Sequence, residues 1–222
     1  MKVAVVGANG RVGQHLCKLL KKSAGFTPLA IVRSEEQRAY FEHELQIQAS
    51  LTSIEDSSVD QIGKALEGSD AVVWTAGAGG KGQDRIFTVD LDGALKVIEA
   101  CQKYKISRII MVSAIKAESR EFWWNTALKP YYIAKRAADA VLRSSGLNYT
   151  ILHPGSLGDG PAKGKLAAPD QIESKRTSSY SIEREDVAQF IQVALENPDK
   201  TLQKTIELAN GDVPVKDFLQ KI

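Results

Sequence analysis

The stretch KVAVVGANGRVG, Lys2 to Gly13, decides the fold. Its apolar residues read as a short buried strand stopped by glycine, and RVGQHLCKLLKKS (11–23) reads as the amphipathic helix that follows. Between them Gly7, Gly10 and Gly13 are spaced GxxGxxG rather than GxGxxG. Glycines there allow a tight turn and let backbone amides approach an anion. The helix N-terminus, with its unpaired N–H groups and dipole, favours negative charge at that point. A glycine triplet alone is weak evidence. Placed after a first strand and before a helix, it has the context that dinucleotide binding requires. Gly7, Asn9, Gly10, Arg11, Val12 and Gly13 are therefore the expected cofactor-binding residues of this loop.

Outward from the loop the chain repeats the same alternation. PLAIVR (28–33), LQIQAS (45–50), DAVVWTAG (70–77), SRIIMVSA (107–114) and NYTILHPG (148–155) read as strands. The helical patterns EEQRAYFEHE, VDQIGKALEG, DRIFTVDLDGALKVIEACQKY and PYYIAKRAADAVL lie between them. Near-continuous apolar strands alternating with helices imply a parallel sheet covered on both faces. Right-handed crossovers then make it a doubly wound α/β sheet, a Rossmann fold. Beyond Pro154 the rhythm loosens into a polar loop, GPAKGKLAAPDQIESKRT, a short strand SSYSI, a helix REDVAQFIQVALEN, a strand KTIELAN and a last helix. This tail is too short for a usual domain and no Gly/Ser-rich linker precedes it. The expectation is one domain, 1–222, in which 155–222 forms a small C-terminal cap on the substrate side.

Composition narrows the function classes. The 222 residues carry a net charge of +2, with Lys and Arg scattered, which argues against a nucleic-acid partner. Two cysteines, Cys17 and Cys101, are too few for a disulfide scaffold, and no Cys/His cluster suggests a metal. No apolar run approaches the length of a signal-peptide core or a membrane span, so a cytoplasmic, soluble protein is the default. The expected partners are a small-molecule substrate and, for assembly, a second copy in a homodimer.

Arg33 ends the second strand, twenty residues after Gly13. An NAD-type site places an acidic side chain about there for the ribose 2′-hydroxyl. An arginine instead can pair with a 2′-phosphate in bidentate fashion, and Arg11 adds a second positive charge. NADP is favoured over NAD, against the plainer reading of a surface arginine at a strand end.

GANGRVG, DAVVWTAG, VDLDGALKVIEA, RIIMVSA, YYIAKRAADAVLRSSGLNYTILHPGSL and SIEREDVA occur in this order. Together they resemble the short-chain dehydrogenase/reductase superfamily, and more closely its atypical branch of NmrA-like, biliverdin-reductase-B-like (flavin reductase) and NAD-dependent epimerase-like proteins. The resemblance covers essentially the whole chain. It implies a catalytic serine at Ser113, a YxxxK motif on Tyr131 and Lys135, and Asp90 where the family's asparagine usually completes the tetrad. It also implies that the loop Ala76, Gly77, Ala78, Gly79 passes over the adenosine and nicotinamide ribose. Pro154, Gly155 and Ser156, in the turn HPGSL, would contact the nicotinamide. Ser50 replaces a frequent adenine-binding aspartate, leaving that contact to Ser50 or the backbone of Leu51.

The chemistry of the pair follows from spacing. Tyr131 and Lys135 share a helix face. A phenol with a reference pKa of about 10 becomes a better acid beside an ammonium. Ser113 would polarise the substrate carbonyl, and Lys135 would hold the cofactor ribose. The alternative register, Tyr132 with Arg136, cannot do this because arginine does not deprotonate. Trp123 and Trp124 read either as a stacking wall for a flat substrate or, more simply, as buried loop anchors. His153 could reach the site from the sixth strand but reads as structural; Arg184 with Asp186 reads equally as a helix start or, by the resemblance, as part of the substrate side. The leading function is an NADP(H)-dependent oxidoreductase acting on a small carbonyl, quinone or flavin. The alternatives are a non-catalytic NADP-binding sensor and, further off, a sugar-nucleotide epimerase or dehydratase.

Overall fold

Seven parallel strands run through the centre of the molecule: β1 (Lys2–Val6), β2 (Thr27–Val32), β3 (Gln48–Leu51), β4 (Ala71–Trp74), β5 (Arg108–Val112), β6 (Asn148–Pro154) and β7 (Lys204–Leu208). Their order across the sheet is β3-β2-β1-β4-β5-β6-β7, the doubly wound arrangement expected from the alternation. The architecture comes from a computed structural model that describes residues 1–80, 82–174 and 180–222.

Each strand sends alternate side chains to opposite faces. Val3 and Val5 of β1 join the core that contains Leu16 and Leu20 of α1 (Arg11–Lys22). Ala4 and Val6 join the other core, with Ile62 and Leu66 of α2 (Val59–Leu66), Val97 and Ile98 of α3 (Ala94–Lys103), and Ala138 and Leu142 of α4 (Lys129–Ser144). The helix read over 35–44 starts as Glu35–Ala39, capped by Ser34, and widens into a π-type turn over Tyr40–Glu44. A second π-type stretch, Ile86–Gly93, leads into α3.

The tail does more than cap. Its strand KTIELAN is β7, paired with β6 from Lys204↔Thr150 to Leu208↔Pro154. Its helix α5 (Arg184–Glu196) supplies Phe190 and Ile191 to the same core as α1. Without these elements β6 would be an unpaired edge and α1 would lack its neighbour. The segment read as a polar loop holds a short strand, Lys165–Leu166, and a helix turn, Pro169–Glu173, with Leu166, Ala167 and Ile172 buried. Three apolar anchors among polar residues leave no period to read. The strand expected over SSYSI is Ser181–Glu183, paired with Ser156–Gly158. Ser178 and Ser179 lie outside the described residues, as do Lys175, Arg176 and Thr177 of the loop.

Among the described residues no helix is long and apolar enough to cross a membrane. Gly13 and Gly155 are among the glycines required by close approach. A Cβ on Gly13 would lie 2.6 Å from the Gly7 carbonyl oxygen and 2.8 Å from Ala8 Cα. One on Gly155 would lie 1.5 Å from the Tyr180 carbonyl oxygen. At Gly13 the obstacle is backbone that cannot swing aside, so Gly13→Ala should destabilise the fold by about 1–3 kcal/mol, read as a shift of the urea midpoint.

Candidate functional site

The carboxyl ends of β1, β2, β4 and β5 open onto a cavity of about 780 Å³. Parallel strands place their carboxyl ends and the following helix N-termini on one edge, where the sheet order reverses beside β1. Gly7, Asn9, Gly10, Arg11 and Val12 line the cavity. Gly13 lies beneath them and serves the packing of α1 on its loop. Gly7 turns with φ at +80°, and a Cβ there would lie 2.6 Å from Ala76 N. No side chain caps α1, and its first turn holds no acidic residue. Its free amides therefore face the cavity without an internal anion, a fit for a pyrophosphate.

At the β2 end Arg33 lines the cavity beside Gln37. Its guanidinium lies 3.5 Å from Glu55, which Arg85 approaches more closely, at 3.0 Å. The two arginines thus share one carboxylate and keep a net positive charge. Arg11 reaches the opposite wall, where it and Arg184 both bind Asp159, Arg184 at 2.7 Å. Arg33 and Arg85, rather than Arg33 and Arg11, form the paired cations at this end.

Two expected contacts move along the chain. Ser50 and Leu51 stay inside β3, pairing with Ile31 and Val32, while Thr52, Ser53 and Ile54 line the cavity. The Thr52 amide still donates to the Val32 carbonyl at 2.7 Å, so the chain leaves the sheet later than its pattern suggests. Likewise Pro154, Gly155 and Ser156 are held away from the cavity. Gly155 N donates to Leu208 O at 2.9 Å and Ser156 N to Tyr180 O at 2.6 Å, and Leu157 lines the wall instead.

Ala76, Gly77, Ala78, Asp90, Ser113, Tyr131 and Lys135 all meet at the cavity. Asp90 and Lys135 are buried, with side-chain exposures of 1% and 3%. Lys135 Nζ donates to the Val112 carbonyl at 2.9 Å and stands 3.7 Å from Asp90 Oδ1. Asp90 Oδ2 accepts from the Ala78 amide at 2.9 Å, while Oδ1 has no hydrogen-bond partner. Asp90 therefore balances the lysine charge and anchors the loop after β4.

That balance overturns one expectation. The phenol of Tyr131 is pushed above its ordinary value, not lowered. Burial is the main cause, and the charge of Asp90 adds to it. Lys135, already matched by Asp90, does not supply the expected depression.

Ser113 Oγ donates to Asp139 Oδ2 at 2.8 Å, and His153 Nε2 lies 2.9 Å from the same oxygen. Asp139 escaped the sequence reading, although it falls on the Tyr131–Lys135 face one turn further on. Trp123 is fully buried, stacked on Tyr132 with ring centroids 5.7 Å apart, and its Nε1 donates to Ala117 O. Trp124 is exposed on the outside, so neither tryptophan walls the cavity; Leu128 and Tyr131 do. Asp186 accepts from the amides of Lys163 and Gly164, bracing that loop instead of capping α5. Burial pushes the thiols of Cys17 and Cys101 up to about 12, which makes both inert core residues. Among the described residues no group of three His, Cys, Asp or Glu could hold a metal.

Residues 7–198 match the family described as NAD(P)H-binding. The chain belongs to this NAD(P)H-binding family. It is 54% identical over 224 residues to protein YMR090W of Saccharomyces cerevisiae, covering 100% of this chain and 99% of that one. It is 42% identical over 223 residues to the uncharacterized sugar epimerase YhfK of Bacillus subtilis, covering both completely. Among solved structures, the oxidoreductase ylbE of Lactococcus lactis superposes with a TM-score of 0.87 at 32% identity, covering 100% of this chain and 96% of that one. The glycine loop, the free N-terminus of α1 and the Lys135–Asp90 pair of this NAD(P)H-binding protein lie inside the matched span.

Breaking a buried pair strands the other charge. Lys135→Met should lower stability by about 3–5 kcal/mol, and adding Asp90→Asn should restore more than half of that, as measured by urea denaturation.

Proposed function

We propose that the protein is an NADP(H)-dependent oxidoreductase that moves a hydride between nicotinamide and a small planar carbonyl, quinone or flavin. The observation that carries this reading is one continuous cavity with the glycine loop and Arg33 at one end and Ser113, Tyr131 and Lys135 at the other. When bound, the cofactor supplies the hydride. The amides of Arg11 and Val12 would hold its pyrophosphate, and Arg33 with Arg85 would hold a 2′-phosphate. Lys135, tethered to Val112 O, has hydrogens left for the nicotinamide ribose, and Asp90 Oδ1 is free to accept from it.

Tyr131 supports the reductive direction. A phenol pushed above its ordinary value keeps its proton at working pH, so it donates to a carbonyl and is a poor base for an alcohol. The name of the Bacillus relative points to a sugar epimerase, a reaction in which a hydroxyl must first lose its proton. The elevated phenol weighs against that second reading.

NADPH should bind more tightly than NADH, and Arg33→Ala should weaken NADPH roughly ten- to a hundredfold while sparing NADH, measured by fluorescence titration. Equal affinities for the two cofactors in the unmodified protein would remove Arg33 from cofactor choice. Tyr131→Phe should retain NADPH binding and lose at least about tenfold in carbonyl turnover. Cofactor binding with no turnover across carbonyls, quinones and flavins would point to a sensor instead.

A further inference from the structure

Asp139 has no solvent exposure, yet it sits directly behind a residue that lines the cavity. Its Oδ2 is shared by Ser113 Oγ at 2.8 Å and His153 Nε2 at 2.9 Å. Both neighbours are themselves buried, at 4% and 2% exposure. A carboxylate only accepts hydrogen bonds, so Ser113 and His153 must both donate to it, which assigns the Nε2–H tautomer to the imidazole. A serine has one hydroxyl proton. Once that proton points into the protein, Ser113 offers the cavity lone pairs alone. This reverses the role implied by resemblance, in which the serine donates to a substrate carbonyl.

We propose that Asp139 is a positioning residue that fixes Ser113 as a hydrogen-bond acceptor toward the cavity, so that the site selects planar acceptors carrying an N–H beside a carbonyl. The inference rests on the oxidoreductase reading and narrows its substrate class. Tyr131, whose hydroxyl has no partner among the described residues, supplies the donor. Ser113 and Tyr131 line the same cavity, and an acceptor from the one with a donor from the other complements an imide or lactam edge, N–H beside C=O. A bare quinone offers only acceptors, which would leave the Ser113 lone pairs unpaired in a desolvated site. Sites built to bind a substrate N–H or O–H reject analogues that lack it, because the buried partner is then orphaned.

The test uses NADPH oxidation with lumiflavin, with 3-methyllumiflavin, whose N3–H is replaced by a methyl group, and with menadione. In the flavin reactions the dihydronicotinamide gives a hydride to N5 of the isoalloxazine and one proton is taken up at N1. The products are oxidised nicotinamide and the dihydroflavin. Unmodified protein should prefer lumiflavin over its 3-methyl analogue by at least about tenfold in kcat/KM. In Asp139→Asn an amide nitrogen can occupy the Oδ2 position and donate to both Ser113 and His153, turning the serine proton toward the cavity. This nearly isosteric variant should bring the ratio close to one without weakening NADPH binding, an outcome that simple loss of packing would not produce. Ser113→Ala should also bring it close to one, and it decides the matter if Asp139→Asn fails to fold. A ratio near one in the unmodified protein, or a preference retained in the variants, overturns the proposal. Turnover of menadione without any flavin preference overturns it while leaving the oxidoreductase reading intact. No turnover of any of the three acceptors overturns both.

Discussion

The site depends on one buried charge and on what neutralises it. Lys135 brings an ammonium into the protein interior, where an unpaired ion would be costly, and Asp90 answers it from the stretch leading into α3. The same lysine is tethered to Val112 at the end of β5, and the same aspartate holds the Ala78 amide in the loop after β4. One ion pair therefore ties together α4, β5, the β4 loop and the approach to α3. These are the elements that surround the inner end of the cavity. A neutral pair in these positions could pack, but it would give the cavity neither a buried cation nor a free carboxylate oxygen.

Polarity is graded along the cavity in keeping with that arrangement. The outer end carries the guanidinium groups of Arg33 and Arg85 converging on Glu55, while Arg11 and Arg184 meet on Asp159 at the opposite wall. The middle presents backbone amides from the uncapped start of α1. The inner end combines a protonated phenol, a serine whose proton is turned inward, and the apolar side chains of Leu128 and Leu157. This arrangement follows from the sheet, because parallel strands bring their carboxyl ends and the loops after them to one edge.

Much of this was legible in the sequence because it is encoded locally. Each strand carries its own apolar run, and each helix its own period. Tyr131 and Lys135 sit four residues apart on one helix, a spacing that needs no tertiary information to place them on one face. What escaped was decided by partners far along the chain. Thr52, Ser53 and Ile54 replaced Ser50 and Leu51 because a bond to Val32 keeps the chain beside β2 through Thr52. Leu157 replaced Pro154, Gly155 and Ser156 because Leu208 and Tyr180 hold that turn against the edge of the sheet. The tail joined the main sheet because β6 required a neighbour, a need that lies outside the residues of β7.

The sequence by itself determined the doubly wound sheet, the glycine loop and the residues that meet at its edge, since short-range spacing sets both secondary structure and the face on which a side chain emerges. Only the tertiary structure decided their electrical character. Tyr131 is a retained proton rather than an activated one because folding buries it and sets the charge of Asp90, forty-one residues away, close to it. Ser113 is an acceptor rather than a donor because Asp139 and His153, from a helix and a strand beyond it, converge behind its hydroxyl. Protonation and hydrogen-bond direction depend on what lies within about 3–6 Å in space, and only folding brings those groups together.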